Sequence, residues 1–214
     1  MSDMGMQQGS RQPDPARPVV AFDFDGTLTV RDSFTAFLRR RAGKRGWARG
    51  LVRLSPVIAA YARERDRGRL KAASVREFLV GVPREVLESE AEAFAAHVWD
   101  SFMRPDALAA WDDWGRRSAL RVIVTASPET TVAPFARRLN AEMLLGTQLV
   151  FDGQDRVTGA FATPNCRGEE KVRRLHAVFG PDLRLTAAYG DTSGDREMLQ
   201  IADQPGFRVF TGRP

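Results

Sequence analysis

Two aspartates close the apolar run in "AFDFDGTLT": Asp23 and Asp25 stand two positions apart, just ahead of Gly26. Carboxylates this close at the end of a hydrophobic stretch repel each other, and their desolvation is costly unless a cation shares the site. Two other apolar runs end in a related way. Thr125 and Ser127 close "LRVIVTAS", and Asp191 closes "RLTAAYGD". If Asp23, Asp25 and Asp191 meet at one rim, an all-oxygen ligand set without His or Cys selects Mg2+. Asp195, four residues beyond Asp191, would orient those ligands or hold their loop.

An anion would need donors beside the metal. "SPETTVAPFARRL" reads as a helix with Ser127 as N-cap and Pro128 in its first position, so that free amides and the positive helix end face the rim. In "GEEKVRRLHAVF", Lys171 shares an inward stripe with Leu175 and Val178, whereas Arg173 and Arg174 point elsewhere. Gly26, Thr125, Ser127 and Lys171 are therefore candidate phosphate-binding residues. Acids, magnesium, a lysine and a helix N-terminus describe phosphoryl transfer, which depends mostly on positioning and charge neutralisation. There is no Walker loop. One aspartate can act as nucleophile, and a second can protonate the leaving oxygen and later deprotonate water.

The elements that would position these residues read as buried strands separated by helices: "PVVAFDFD", "LRVIVTAS" and "RLTAAYGD" are short, β-rich apolar runs. They predict an α/β fold, a doubly wound, Rossmann-like parallel sheet with ligands beyond the carboxyl ends of its strands. Residues 32–99 are helical in pattern throughout and predict an inserted all-helical domain, leaving 18–31 and 100–214 as the α/β core. Pro105 suits the first turn of a helix leading back to the core. "LLGTQLVFDGQDRVTGAF" predicts a strand and a hairpin turned at Asp152-Gly153, and "GFRVF" a last strand. Residues 1–17 are polar with Gly and Pro, and read as a disordered leader.

With 214 residues, 43% of them hydrophobic, the chain can build a real interior. Its one cysteine, Cys166, excludes an intrachain disulfide and suggests a reducing compartment, and the N-terminal residues 1–17 hold no apolar signal core. A cytoplasmic location follows, with the inner membrane face as an option. Between Arg31 and Arg84 there are 15 Lys/Arg against 4 Asp/Glu, while the other residues carry 17 against 23. Such a basic segment either presents solvated helix faces or attracts an anionic substrate or membrane surface. Nucleic acid is not expected, since no zinc-finger spacing or RNA-binding aromatic signature accompanies the charge. His97, His176 and Cys166 read as packing or surface residues, and Trp47, Trp99, Trp111 and Trp114 as packing within helices. Phe34 and Phe37 could line a pocket or join the core.

The ordered set "DFDGTLT", "VTAS", "RGEEK" and "YGDTSGD" resembles the haloacid dehalogenase-like hydrolases, and the helical insertion after the first motif is similar to their phosphoserine-phosphatase-like branch, subfamily IB. The resemblance implies a phosphomonoesterase in which Asp23 is nucleophile and magnesium ligand. Asp25 would be general acid/base and give the metal a backbone carbonyl; Asp191 would complete the metal shell with Asp195 behind it. Thr125 and Lys171 would bind phosphate. In phosphoserine phosphatases an acid contacts the substrate ammonium at the place of Asp32, and Arg76 lies near the place of an arginine for the substrate carboxylate. "DSFTAFLRR", "LSPVIAAYARERDRGR" and "CRGEEKV" are also similar to phosphatidylglycerophosphatase C. The implied substrate is thus a small metabolite phosphate such as phosphoserine, or a phospholipid headgroup such as phosphatidylglycerophosphate. The same residues would also suit a phosphotransferase with an alcohol acceptor, or a non-catalytic binding module.

Overall fold

A computed structural model describes residues 17–214. The leader expected over 1–17 therefore lies, except for Arg17, outside the described residues. The sheet has five parallel strands in the order β3-β2-β1-β6-β7. They are β1 (Val19–Phe22), β2 (Leu120–Pro128), β3 (Met143–Thr147), β6 (Leu185–Gly190) and β7 (Ala202–Phe207). A separate antiparallel hairpin joins β4 (Leu149–Phe151) to β5 (Val157–Phe161) through the expected Asp152-Gly153 turn. The last strand begins at Ala202, earlier than "GFRVF" predicts: Ala202 pairs with Leu185 and is buried, so its side chain holds that part of the chain on the sheet.

The period-two geometry of strands sorts the core into two faces. Val20, Phe22, Ile123 and Ala187 join one apolar cluster, whereas Val19, Ala21, Val122, Val124 and Ala188 join the other. Helices α4 (Pro105–Arg116) and α5 (Glu129–Arg138) cover the first face through Trp111, Trp114 and Phe135; α6 (Glu169–Phe179) and α7 (Arg196–Gln200) cover the second through Leu175, Met198 and Leu199. Both faces are thus buried, and the sheet is doubly wound as the apolar runs imply. Pro105 occupies the first turn of α4, where its missing N–H costs no helical hydrogen bond. Phe37 packs edge-on to Phe94 in the core.

Between β1 and α4 the chain forms α1 (Ser33–Glu64), α2 (Arg67–Leu79) and α3 (Arg84–Phe102), with no strand in between. Asp32 caps α1 by accepting the Thr35 N–H at 2.6 Å. The helix bends at Gly43, whose φ of 64° combined with ψ of 173° is a conformation essentially confined to glycine, which divides α1 into two arms. Pro56 cannot donate to the Val52 carbonyl, and the Ser55 hydroxyl does so instead at 2.8 Å. The neck of this segment is a pair of antiparallel contacts: Val30 N–H donates to the Phe102 carbonyl at 2.8 Å and Arg104 N–H to the Leu28 carbonyl at 2.9 Å. The hairpin braces the segment from the other side, as Val157 N–H donates to the Val82 carbonyl and Gly81 N–H to that of Val157.

Candidate active site

Register brings the polar strand ends together. Phe22 lies opposite both Ile123 and Tyr189, so Asp23, Thr125 and Asp191 emerge from three adjacent strands at one edge of the sheet. Lys171 reaches them from α6. Its ammonium donates to Asp23 Oδ1 at 2.6 Å, Asp195 Oδ1 at 2.7 Å and the Val124 carbonyl at 2.5 Å, which uses all its protons. Asp195 Oδ2 accepts from Asp191 N–H, Thr192 N–H and the Thr192 hydroxyl, so its carboxylate is fully engaged in holding the loop. Asp195 ends a 3-10 turn and precedes the short α7 without a side-chain bond to it, one residue outside the helix in which the sequence places it.

Carboxylate oxygens of Asp23, Asp191 and Asp195 lie within 4.8 Å of one another. Burial pushes Asp23 up to about 7 despite the adjacent Lys171. Burial acts to raise Asp195 too, but Lys171 overcomes it and holds that carboxyl below its usual range. Lys171 itself, which burial alone would lower, is held above its usual range by Asp23 and Asp195. One ammonium against three carboxylates leaves the cluster short of positive charge. Asp191 Oδ1 is buried and without a hydrogen-bond partner among the described residues. An orphaned oxygen in an all-oxygen, over-anionic cluster fits Mg2+, with Asp23 and Asp191 as the side chains with free ligand atoms. Gly26 is required beside them: with φ at 92°, a Cβ there would lie 2.3 Å from Asp191 Oδ2.

Asp25 points to the other side of the rim. Its Oδ1 accepts from the Ser33 N–H at 2.7 Å and hydroxyl at 2.6 Å, and its Oδ2 from the Ser127 hydroxyl at 2.5 Å. Burial and then the neighbouring Asp32 raise its pKa. Ser127 thus orients Asp25 and does not line the cleft, contrary to its expected role with the anion. The reason is a one-residue offset. β2 continues through Pro128, whose ψ of 131° is extended, and α5 starts at Glu129 with no side-chain cap. Thr125 and Ala126 line the cleft, and the first turn of α5 does not.

The cleft has a volume of about 680 Å³, and Asp23, Asp25, Gly26, Asp32, Thr125, Lys171, Asp191 and Asp195 all border it. Asp32 does so while capping α1. Arg76 does not border the cleft: it is exposed and packs over Gly159 of β5. The α2 residues that do are Arg67, Leu70, Lys71 and Ser74, which recur at three and four positions on one helix face. Arg76, five positions past Lys71, is rotated about 140° away. Arg31, Arg104 and Arg167 complete the cationic lining. Phe34 borders the cleft as well. Cys166 is buried, and burial pushes its thiol up to about 11, so it is inert.

A family model described as haloacid dehalogenase-like hydrolase matches residues 20–200. The chain belongs to this family. The hydrolase is 57% identical over 196 residues to the protein CicA of Caulobacter vibrioides, covering 92% of this chain and 88% of CicA. Among solved structures, a protein of unknown function from Bordetella pertussis Tohama I superposes with a TM-score of 0.75 at 24% identity, covering 88% of each chain. A phospho-aspartyl intermediate analogue of phosphoserine phosphatase superposes with a TM-score of 0.59 at 18% identity, covering 88% of this chain and 85% of that one. Both likenesses bear on the fold.

Lys71 is the cleft residue that the sequence pattern hid, since a lone lysine on a basic helix reads as a surface group. Its ammonium donates to the Ala126 carbonyl at 2.8 Å and lies 3.5 Å from the Ser127 hydroxyl that holds Asp25. Burial pulls its pKa below the usual range, and Asp25 offsets part of that. Lys71→Met should therefore disturb Asp25 more than Asp23. We expect turnover of alkyl phosphates, whose leaving oxygen needs a proton, to fall about tenfold more than that of p-nitrophenyl phosphate. Equal losses on both substrates would refute a link to Asp25.

Proposed function

We propose that the protein is a Mg2+-dependent phosphatase that works through a phosphoryl group held covalently on Asp23, and that its substrates are phosphomonoesters with an extended apolar chain. One observation carries this reading: a single cleft joins the charged floor of Asp23, Asp191 and Lys171 to an apolar wall. That wall is Trp47, Leu51, Leu54, Ile58 and Tyr61, one stripe of the second arm of α1, with Phe34, Leu38 and Leu70 beside it.

Lys171 fixes Asp23 through Oδ1, and no hydrogen bond among the described residues engages Oδ2. That oxygen attacks phosphorus, forming an acyl phosphate on Asp23 as the bond to the leaving alkoxide breaks. Asp25, oriented by Ser33 and Ser127, gives its proton to the departing oxygen. It then takes a proton from water, which attacks phosphorus and releases Asp23 and inorganic phosphate. Mg2+, held by Asp23, Asp191 and a backbone carbonyl of Asp25, would neutralise the charge of carboxylate and phosphate. Thr125 would bind a phosphate oxygen, and Lys171 would do so in exchange for one of its three present acceptors.

A phosphoserine specificity finds less support. Asp32 gives one oxygen to the cap of α1 and borders the cleft, but Arg76, the residue expected for a substrate carboxylate, does not border it. The test is kcat/KM across butyl, hexyl and octyl phosphate, with phosphoserine alongside. Transfer of methylenes onto the apolar wall should raise kcat/KM about threefold for each carbon added. A flat series, or phosphoserine as the best substrate, would overturn the chain-bearing class.

A further inference from the structure

The second arm of α1 carries a stripe on its outer face that the cleft does not use. From Arg39 to Arg63 the sequence holds eight Lys/Arg and no Asp or Glu. Arg45, Arg49, Val52, Pro56, Ala59 and Arg63 recur at helical spacing and are all exposed. Val52 is 73% exposed, while Leu51 and Ile58, at 39% and 38%, stand at the edge of the cleft beside it. Apolar side chains are thus left in water among cations on a helix whose inner stripe is the wall of the cleft. No helix among the described residues is long and apolar enough to cross a membrane.

We propose that this outer face, residues 44–63, docks on the surface of an anionic bilayer. Val52 and the rims of Leu51 and Ile58 would enter the headgroup boundary, and the flanking arginines would reach lipid phosphates while their stems lie along the apolar surface. The charge selects an anionic partner, and the apolar side chains select a bilayer over a nucleic-acid duplex, whose phosphate ridge offers Val52 nothing to bury. A second copy of the chain, acidic outside residues 31–84, could answer the charge, and its other exposed large apolar side chains among the described residues are Val80, Val86, Phe207 and Val209; the test below separates that occupant from a bilayer. Docked in this way, the cleft opens at the lipid boundary. The inference goes beyond the hydrolytic reading and does not depend on it.

The experiment is co-sedimentation of the full chain with vesicles of phosphatidylcholine, alone or with about 30 mol% phosphatidylglycerol. Binding is expected to the anionic vesicles only and to weaken with added salt. The triple variant Lys44→Glu, Arg45→Glu, Arg49→Glu should lower the partition about a hundredfold, and Val52→Asp about tenfold. Both variants should keep the wild-type melting temperature and turnover of p-nitrophenyl phosphate, which separates docking from folding. The proposal is overturned by equal binding to neutral vesicles, by no binding, or by variants that bind as the wild type does. It is equally overturned if a DNA duplex competes as well as anionic vesicles, or if the same variants instead dissolve a dimer. Vesicle binding without turnover of any phosphomonoester would leave docking standing and sink the hydrolytic mechanism; turnover without vesicle binding would do the reverse.

Discussion

Asp23→Asn should lower kcat for p-nitrophenyl phosphate by about four orders of magnitude or more, because an amide oxygen of the same shape is a poor nucleophile toward phosphorus. The substitution isolates chemistry from architecture. The amide oxygen that it introduces would still accept from Lys171 at the position where Asp23 Oδ1 lies 2.6 Å from the ammonium. The exchange would also remove a carboxylate whose ionised form burial disfavours. The metal-free variant should therefore melt no lower than the wild type. Turnover above about one hundredth of wild type would take Asp23 out of the nucleophile role.

Lys171→Met should act on both stability and turnover. The ammonium is fully enclosed between Asp23 and Asp195, and its loss leaves two buried carboxylates without their cation. Breaking one side of a buried ion network typically costs about 3–5 kcal/mol, which in a protein of this size lowers Tm by roughly 10 °C. Phosphate binding should suffer as well, so that residual activity falls far below what the loss of folded protein explains. Lys171→Arg is not expected to rescue either property, since a planar guanidinium cannot reproduce three short bonds diverging from one nitrogen. Wild-type melting in the Met variant would mean that the two acids are neutral in the folded protein, and the charge argument for a divalent cation would fail.

The parts of the site that were legible in the sequence are those fixed within a few residues. Asp23 and Asp191 directly follow apolar strands and Thr125 closes the apolar run within β2, and a parallel sheet in register must bring such positions to one edge. Lys171 was legible because it shares a helical stripe with Leu175. Ser127 was misplaced by one residue: Pro128 can serve as a strand end or as a first helical turn, and pairing of Pro128 with Thr147 across β2 and β3 decides for the strand. Arg76 was misplaced and Lys71 missed for a longer-range reason. Which face of α2 meets the cleft depends on how α2 packs against α1 and β5, and no spacing within α2 records that rotation. Ser33, which holds Asp25, was hidden as an ordinary first residue of α1.

The neck at Thr29 and Met103 has an architectural consequence. The chain leaves the sheet and returns to it through two strands hydrogen-bonded side by side, so everything between them is a closed excursion with its ends already tied. Exchanging that excursion for one of different length or composition asks nothing new of the sheet, whereas Asp23, six residues upstream of Thr29, keeps its place. Selectivity is therefore written largely on an exchangeable stretch of the chain, and a transplant made at this junction would have to keep Ser33 and Lys71, through which the excursion reaches Asp25 and its holder Ser127.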